Sequence, residues 1–130
     1  MITKRILNRD RIRRIAGGFS FIPHRFLTDG FLSSLDHNEI LLYLFLVLVS
    51  DRHGLSYYSY DAICTLLQID LGHYIEARDG LMKKDLIAFD GTIFQVLDLP
   101  SKPTACSRPK DDPAEIAHII RQSLKPNEHN

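Results

Sequence analysis

Apolar and polar positions in the first half of the chain predict a central helix. A run of ten apolar residues occupies positions 40–49, directly after Asp36 and Glu39. An acid three residues before a glutamate is typical of a capping box, in which each side chain accepts from the other's backbone N–H. The pattern therefore predicts a helix from Asp36 to about Ser50. Because it is apolar on every side, we expect neighbouring elements to bury it.

The pattern after residue 54 predicts a short strand, two helices and a hairpin. Tyr-rich residues 55–58 favour a strand, and Ser59 is a suitable N-cap for a helix over 60–67. Asp70 is in the same position for a helix over 71–84. Two apolar runs, 86–89 and 92–97, then flank Asp90 and Gly91. An Asp-Gly pair between apolar runs predicts a β-hairpin with a type I′ turn.

The two ends of the chain differ from this body, which we place at 19–99. Residues 1–18 show no single helical stripe and end in two glycines, so they are interpreted as a basic flexible arm. Residues 100–112 are proline-rich and predict a linker. Residues 113–124 predict an amphipathic helix whose apolar stripe is Ile116, Ile119, Ile120 and Leu124. This stripe either folds back on its own body or crosses to a second copy as a dimerisation device.

Composition places the chain among globular proteins of one domain. The sequence has 130 residues, of which 45% are hydrophobic and 25% charged. Its longest apolar run is shorter than the roughly 17–25 residues of a membrane span, so we expect no membrane partner. No apolar region follows the first charges, as a secretory signal would require. Two cysteines make no disulfide framework, which favours a cytoplasmic location.

Charge is balanced overall but unevenly distributed. Sixteen basic and sixteen acidic residues give a net charge of zero. Residues 1–25 nevertheless hold seven basic residues against one acidic, whereas residues 26–100 hold four against eleven. A basic terminal block is typical of a tail that contacts nucleic acid. The alternative is that the arm pairs with the acidic body of its own or a second copy.

Signals of an enzyme are absent from the sequence. Six histidines form no His-Glu-x-x-His motif and have no cysteine at ligand spacing, and no Gly-x-Ser-x-Gly occurs. Cys64 is interpreted as a small core residue rather than a nucleophile. We therefore expect no catalytic residues, no metal site and no cofactor.

The order of predicted elements resembles the winged helix-turn-helix family over about residues 21–98. The resemblance rests on ICTLLQID at 63–70, on Tyr74, Ala77 and Leu81, and on the Asp-Leu-Ile at 85–87 before the hairpin. FIPHRFL followed by SLDHNEILLYLFLVLV looks like the start of winged helices in replication-initiator and primosome-loading proteins of the DnaD type. The resemblance implies a mainly α fold with a small β-hairpin, a winged helix-turn-helix plus a C-terminal helix.

Four positions in this region depart from what the resemblance or helix propensity leads us to expect. Gln68 and Asp85 replace glycines that are usual at those turns. Arg78 stands where an aliphatic residue is usual, within a predicted apolar stripe at 71, 74, 75, 81 and 82. Either its stem packs while its head pairs with an acid, or it contacts a ligand or nucleic acid in a groove. Gly80 lies in mid-helix, and we expect close approach of another backbone there, within the fold or across a dimer.

The resemblance places the helix over 71–84 in the DNA major groove. Its predicted exposed face (72, 73, 76, 79, 80 and 83) carries two acids and one lysine, which disfavours contact with phosphates. Arginines on a flexible arm are suited to the minor groove of A·T-rich DNA. We expect Tyr57 to pack in the core and hydroxyls of Ser59 and Tyr60 to meet phosphates. The candidate DNA-binding residues are Arg5, Arg9, Arg11, Arg13, Arg14, Ser59, Tyr60, Gly72, His73 and Lys83.

Two hypotheses follow from the sequence. The first is a small DNA-binding protein, regulatory or replication-associated and carried by a mobile element, which binds double-stranded DNA as a homodimer. The second is a winged-helix module for protein interaction or dimerisation that does not bind DNA through its acidic third helix. The arm and the resemblance favour the first hypothesis, whereas the charge of the body favours the second.

Overall fold

The computed structural model describes residues 2–103, which form four helices and a small antiparallel sheet. The predicted C-terminal helix and most of the linker lie outside the described residues. Mainly α structure with a small β component is thus confirmed for this part of the chain. The elements are the helices α1 (Arg25–Thr28), α2 (His37–Val49), α3 (Tyr60–Leu67) and α4 (Leu71–Lys83), the strands β1 (Leu55–Ser56), β2 (Ile87–Phe89) and β3 (Phe94–Val96), and 3₁₀ turns at Arg9–Arg11 and Leu32–Ser34.

Side-chain caps begin the three longer helices where the sequence predicts them. At α2, Asp36 Oδ1 accepts from the N–H of Glu39 at 2.8 Å, and Glu39 Oε1 accepts from the N–H of Asp36 at 2.9 Å. Ser59 accepts from the N–H of Ala62 at the start of α3. Asp70 accepts from the N–H of His73 at 2.7 Å at the start of α4. Each cap satisfies a backbone donor that the helix itself leaves unpaired.

Two non-glycine residues turn the chain in the left-handed conformation. Gln68, between α3 and α4, has φ 56°, and Asp85, between α4 and β2, has φ 63°. These are the two positions where the sequence departs from the expected glycines. Both turns therefore adopt a conformation that favours glycine, but with side chains that this conformation disfavours.

The three strands are antiparallel in the order β1-β3-β2. Phe89 pairs with Phe94, so the hairpin loop is the four residues 90–93. The hairpin is confirmed, but the predicted type I′ turn is wrong. Asp90 Oδ1 accepts from the N–H groups of Thr92 at 2.8 Å and Ile93 at 2.7 Å, and this side chain shapes a wider loop. Gly91 is the loop residue with positive φ, whereas type I′ requires two.

The core lies between α2, α4 and the sheet. Aromatic rings extend it at two places, where Phe26 of α1 stacks on Tyr43 at 4.9 Å and Phe89 stacks on Phe94 at 4.2 Å. Burial of Tyr43 raises the pKa of its hydroxyl. The largest fully buried side chains are Phe31, Leu35, Leu42, Leu46, Ile63, Leu81, Leu86 and Phe94.

One face of α2 is exposed, against the prediction that neighbours bury this helix on every side. Leu41, Leu44 and Leu48 all project to the surface. The reason is that the described partners of α2 contact its other faces, through Leu42, Tyr43, Leu46 and Val47. Among residues 2–103, no helix is long and apolar enough to cross a membrane.

Gly80 makes room for a carboxylate rather than for another backbone. A Cβ built at this position would overlap the side chain of Glu39. Glu39 is buried, and its Oε1 lies 2.7 Å from Lys84 Nζ. The expected close approach at Gly80 is therefore present. The prediction that another backbone makes this approach is wrong, because the neighbour is the side chain of Glu39 in α2.

Candidate nucleic-acid interface

A groove of about 550 Å³ lies where α3, α4 and the hairpin loop meet. The start of α3 forms one wall, the outer face of α4 forms the floor, and the hairpin closes the other side. We call it the tyrosine groove. Its residues are Tyr57, Tyr58, Ser59, Tyr60, Leu71, Tyr74, Ile75, Arg78, Phe89, Gly91 and Thr92.

Exposed tyrosines line the α3 side of this groove. Tyr57 is 69% exposed, so the prediction that it packs in the core is wrong. Strand alternation explains this, because Ser56 is the buried residue of β1 and its neighbours face outward. Tyr60 is also exposed, and Tyr58 rests edge-on against Phe45 at 5.2 Å. The groove thus presents phenol rings and hydroxyls to solvent, together with the exposed Ser59.

Arg78 is held at the floor of the groove. Its guanidinium lies 5.3 Å from the ring centroid of Phe89 and 5.6 Å from that of Tyr74, a cation–π arrangement. Nη2 also lies 3.1 Å from Asp79 Oδ1. Burial raises the pKa of the Tyr74 hydroxyl, and Arg78 partly opposes this shift. Arg78 therefore pairs with an acid, as expected if its stem packs in the fold. It also lies in a groove, which is required if it contacts a ligand or nucleic acid.

The apolar residues of α4 divide into two faces. Tyr74, Ala77 and Leu81 are buried, whereas Leu71, Ile75 and Met82 are exposed. The predicted single stripe through 71, 74, 75, 81 and 82 is therefore wrong. The second face exists because one side of α4 packs on α2 while Leu71, Ile75 and Arg78 line the groove.

The predicted polar face of α4 is acidic in the structure. Gly72, His73, Glu76, Asp79 and Lys83 are exposed, but Gly80 is only partly so because Glu39 lies against it. His73 Nδ1 is 2.8 Å from Asp70 Oδ1. The backbone N–H of His73, helped by its ring, lowers the pKa of Asp70. Asp70 therefore remains a carboxylate and adds to the negative charge near the start of α4.

The arginines of the arm are exposed and stand apart from the groove. Arg5, Arg9, Arg11, Arg13 and Arg14 have no ion pair among residues 2–103. The N–H of Asp10 donates to Asn8 Oδ1 at 3.0 Å and starts the 3₁₀ turn. Directly after the arm, Ser20 Oγ donates a hydrogen bond of 3.4 Å to the carbonyl of Leu48 and holds the start of the body on α2.

Arg25 belongs to the body, although it lies in the basic N-terminal block. Its Nε is 3.1 Å from Asp29 Oδ2, and its Nη2 donates to the carbonyl of Pro100 at 2.6 Å. Nη1 donates to the carbonyl of Leu99 at 3.4 Å. This leaves six basic residues in the arm, Lys4 and the five arginines. Sequence reasoning missed the role of Arg25 because its partners are backbone carbonyls far along the chain.

A second cavity of about 490 Å³ lies at the other end of the sheet from the tyrosine groove. Phe19, Phe21 and Pro23 form one side of it, and the turn after α2 forms the other. In that turn the N–H groups of Leu55 and His53 lower the pKa of Asp51. The cavity marks where the chain enters the body after the arm, so this junction and the tyrosine groove lie at opposite ends of the sheet.

The described residues show no cluster suited to a metal ion. Among residues 2–103, no group of three His, Cys, Asp or Glu side chains could hold a metal. Burial raises the pKa of the Cys64 thiol, and the nearby Asp61 and Asp70 raise it further. A raised pKa leaves the thiol protonated and unreactive at neutral pH.

Comparisons with known proteins add no assignment. A scan against protein-family models, a search of curated proteins and a search of solved structures each found no match to the chain.

Proposed function

We propose that this chain is a small winged-helix DNA-binding protein in which the basic arm provides most of the affinity. The observation that carries the proposal is the convergence of three elements on one side. The start of α3, the outer face of α4 and the hairpin loop line the same groove, behind a sheet ordered β1-β3-β2. In a winged helix these are the elements that face the duplex, with α4 as the recognition helix.

The charges of the described residues favour phosphate binding by the arm and positioning on the DNA backbone by the body. Phosphates supply most of the sequence-independent affinity, and they need cations. The exposed acids Asp70, Glu76 and Asp79 repel phosphates from α4. The arm offers six basic residues without ion-pair partners among residues 2–103, so it is the better phosphate-binding element. Hydroxyls of Ser59, Tyr60 and Thr92 then position the body on the backbone.

The resemblance to DnaD-type replication proteins supports a role in replication or its regulation. In this proposal the protein acts in the cytoplasm as a homodimer that binds two half-sites, and is carried by a mobile element. Base contacts of α4 are made by the exposed side chains of His73 and Lys83 and by the open backbone at Gly72.

Fluorescence anisotropy of a labelled duplex, titrated at several salt concentrations, tests the proposal. Six arm cations predict a log–log slope of about −5, since each neutralised phosphate contributes about −0.9. Replacing Arg9, Arg11, Arg13 and Arg14 by Gln in the full chain should reduce the slope to between about −1 and −2. Arg52→Gln, an exposed basic residue of the body, is the matched control and should leave the slope nearly unchanged.

Two results would contradict the proposal. One is the absence of duplex binding even at low salt. The other is binding that is unchanged when the four arm arginines are neutralised, which would move the phosphate contacts to the body.

A protein-interaction module is the second candidate, and the composition of the tyrosine groove favours it. Tyrosine and arginine are enriched where protein interfaces have most of their binding energy. Tyr57, Tyr60 and Ile75 are exposed in a groove whose surroundings are acidic. Under this hypothesis Tyr60→Ser weakens self-association in light scattering and has no effect on DNA affinity. Under the DNA-binding hypothesis the same change weakens duplex binding.

A further inference from the structure

The outer face of α2 is an apolar stripe that the described residues 2–103 leave partly open to solvent. Its members are Leu41, Leu44 and Leu48, with the half-buried Phe45 between them, and we call it the leucine stripe. The spacing is i, i+3, i+4 and i+7, which places all four side chains along one side of the helix. At a rise of 1.5 Å per residue the stripe is about 10 Å long. Such a face is typical of a helix that packs against another helix.

The sequence beyond the described residues contains a segment of matching pattern. Ile116, Ile119, Ile120 and Leu124 recur at i, i+3, i+4 and i+8. Over eight residues a helix extends about 12 Å, close to the length of the leucine stripe. Asp112 and Pro113 directly before this segment are typical of a helix start. The chain therefore carries two apolar stripes of similar length, and burial of each against another apolar surface is favourable.

We propose that residues 113–124 form a helix that packs on the leucine stripe of the same chain. The two stripes have the i, i+3, i+4 spacing in common, so their side chains can interdigitate along their whole length. The docking removes the apolar surface of both stripes from water, and this hydrophobic effect drives it. This docking surface lies on α2 and is separate from the tyrosine groove.

The chain leaves the body close enough to reach the stripe. Leu99 is buried, and the hydrogen bond from Arg25 to the carbonyl of Pro100 fixes the chain beside α1. The next residue of α1, Phe26, stacks on Tyr43 of α2 at 4.9 Å. Residues 101–113 can extend about 40 Å, whereas half the circumference of a helix is about 16 Å. The linker therefore reaches from Pro100 to the far side of α2 with length to spare.

Tethering favours the same chain over a second copy. A short flexible linker gives the attached helix an effective concentration in the millimolar range. A second copy competes only when its own concentration approaches that value. At micromolar protein we therefore expect the tail to dock within its own chain, so that the homodimer of the proposed function forms through another surface.

Hydrogen exchange of the full chain, followed by mass spectrometry of its peptides, tests the docking. Amides of 116–124 should exchange about tenfold or more slowly than unprotected amides. Leu48→Asp should remove this protection, because it places a charge within the apolar contact at the most exposed residue of the stripe. Leu66→Asp is the matched control, since Leu66 lies on α3 and is 61% exposed where Leu48 is 62% exposed. It should leave the protection unchanged.

A variant of the tail keeps the test decisive if Leu48→Asp disturbs α2 itself. Ile120→Asp should abolish the protection of 116–124 while amides of α3 and α4 stay protected. Unprotected 116–124 in the unaltered chain would overturn the proposal. So would protection that rises with protein concentration together with a doubled mass in light scattering, which would assign the stripe to a second copy. None of these readouts involves DNA, so failure here is distinct from failure of the proposed function.

Discussion

Glu39 and Lys84 form a buried ion pair that joins the start of α2 to the end of α4. Their side chains are 5% and 19% exposed, and Lys84 Nζ lies 2.7 Å from Glu39 Oε1. Lys84 Nζ also donates to the carbonyl of Ser34 at 2.8 Å, and Glu39 Oε1 accepts from the N–H of Asp36. One pair therefore connects both helices and the turn before α2. The capping glutamate thus has a second role, in tertiary structure.

We expect Lys84→Met to lower the free energy of unfolding by about 3 kcal/mol, because it leaves the Glu39 carboxylate buried without its cation. Urea denaturation at neutral pH measures this. Lys83→Met is the matched control, because Lys83 is the neighbouring residue and its side chain is exposed. This substitution should change the free energy of unfolding by less than about 0.5 kcal/mol. Equal effects of the two substitutions would show that the pair contributes no more than a surface charge.

We expect Gly80→Ala to destabilise the protein, although alanine favours a helix over glycine by about 1 kcal/mol. The added Cβ overlaps the carboxylate of Glu39, which its hydrogen bonds hold in place. Gly72→Ala is the control in the same helix, because its nearest neighbour, Asp70 Oδ1, is at an ordinary 3.6 Å. Thermal unfolding should show a lower Tm for Gly80→Ala and an equal or higher Tm for Gly72→Ala. A higher Tm for both would mean that Glu39 moves aside without cost.

We expect Gln68→Gly to stabilise the protein by about 1 kcal/mol. Gln68 has φ 56° and ψ 47°, where a Cβ costs about 1–2 kcal/mol and glycine has none; the greater freedom of glycine in the unfolded chain offsets part of the gain. Asp85→Gly, at φ 63°, should act in the same direction. Thr65→Gly within α3 is the contrasting control and should destabilise by about 0.3 kcal/mol, the difference between two residues that both disfavour a helix. A loss of stability in Gln68→Gly, measured in urea, would show that the glutamine side chain contributes more than its backbone strain costs.

We expect stability to fall as the pH is lowered below about 4, the ordinary pKa of aspartate. Hydrogen bonds from Ile93 and Thr92 lower the pKa of Asp90 in the folded state, so its contribution is present above the unfolded pKa and is lost as the pH falls through the folded one. Asp90→Asn should therefore flatten the dependence of Tm on pH between 5 and 2. A curve that is as steep in this variant as in the unaltered chain would assign the loss to the other low-pKa aspartates, Asp51 and Asp70.

Local chemistry made most of the fold predictable from the sequence. The caps at Asp36, Ser59 and Asp70 act within three residues of themselves, so their motifs place the helix starts. The turns at Gln68 and Asp85 were likewise located by pattern. The turn at residues 90–93 was not, because the Asp90 side chain closes a wider loop than the Asp-Gly pair suggested.

Features that depend on distant contacts were not predictable. An all-apolar helix does not reveal which face its neighbours leave open, so the exposure of Leu44 and its stripe came only from the structure. Lys84 is 45 residues from Glu39, and nothing near either residue points to the other. Part of the tyrosine groove is predictable from the sequence, because Ser59 and Tyr60 are candidate DNA-binding residues. The exposure of Tyr57 is not, because it depends on the alternation of a strand of only two residues.

The hydrogen bonds from Arg25 to the carbonyls of Leu99 and Pro100 bring residues 25 and 100 to one corner of the body. The arm and the tail therefore both depart from ends that are fastened together. Tension between an arm held on one object and a tail held on another would act on that corner before it reached the core. On the arm side the hydrogen bond from Ser20 to the carbonyl of Leu48 would break first and the two Arg25 hydrogen bonds next, so that the hydrophobic core would be loaded last.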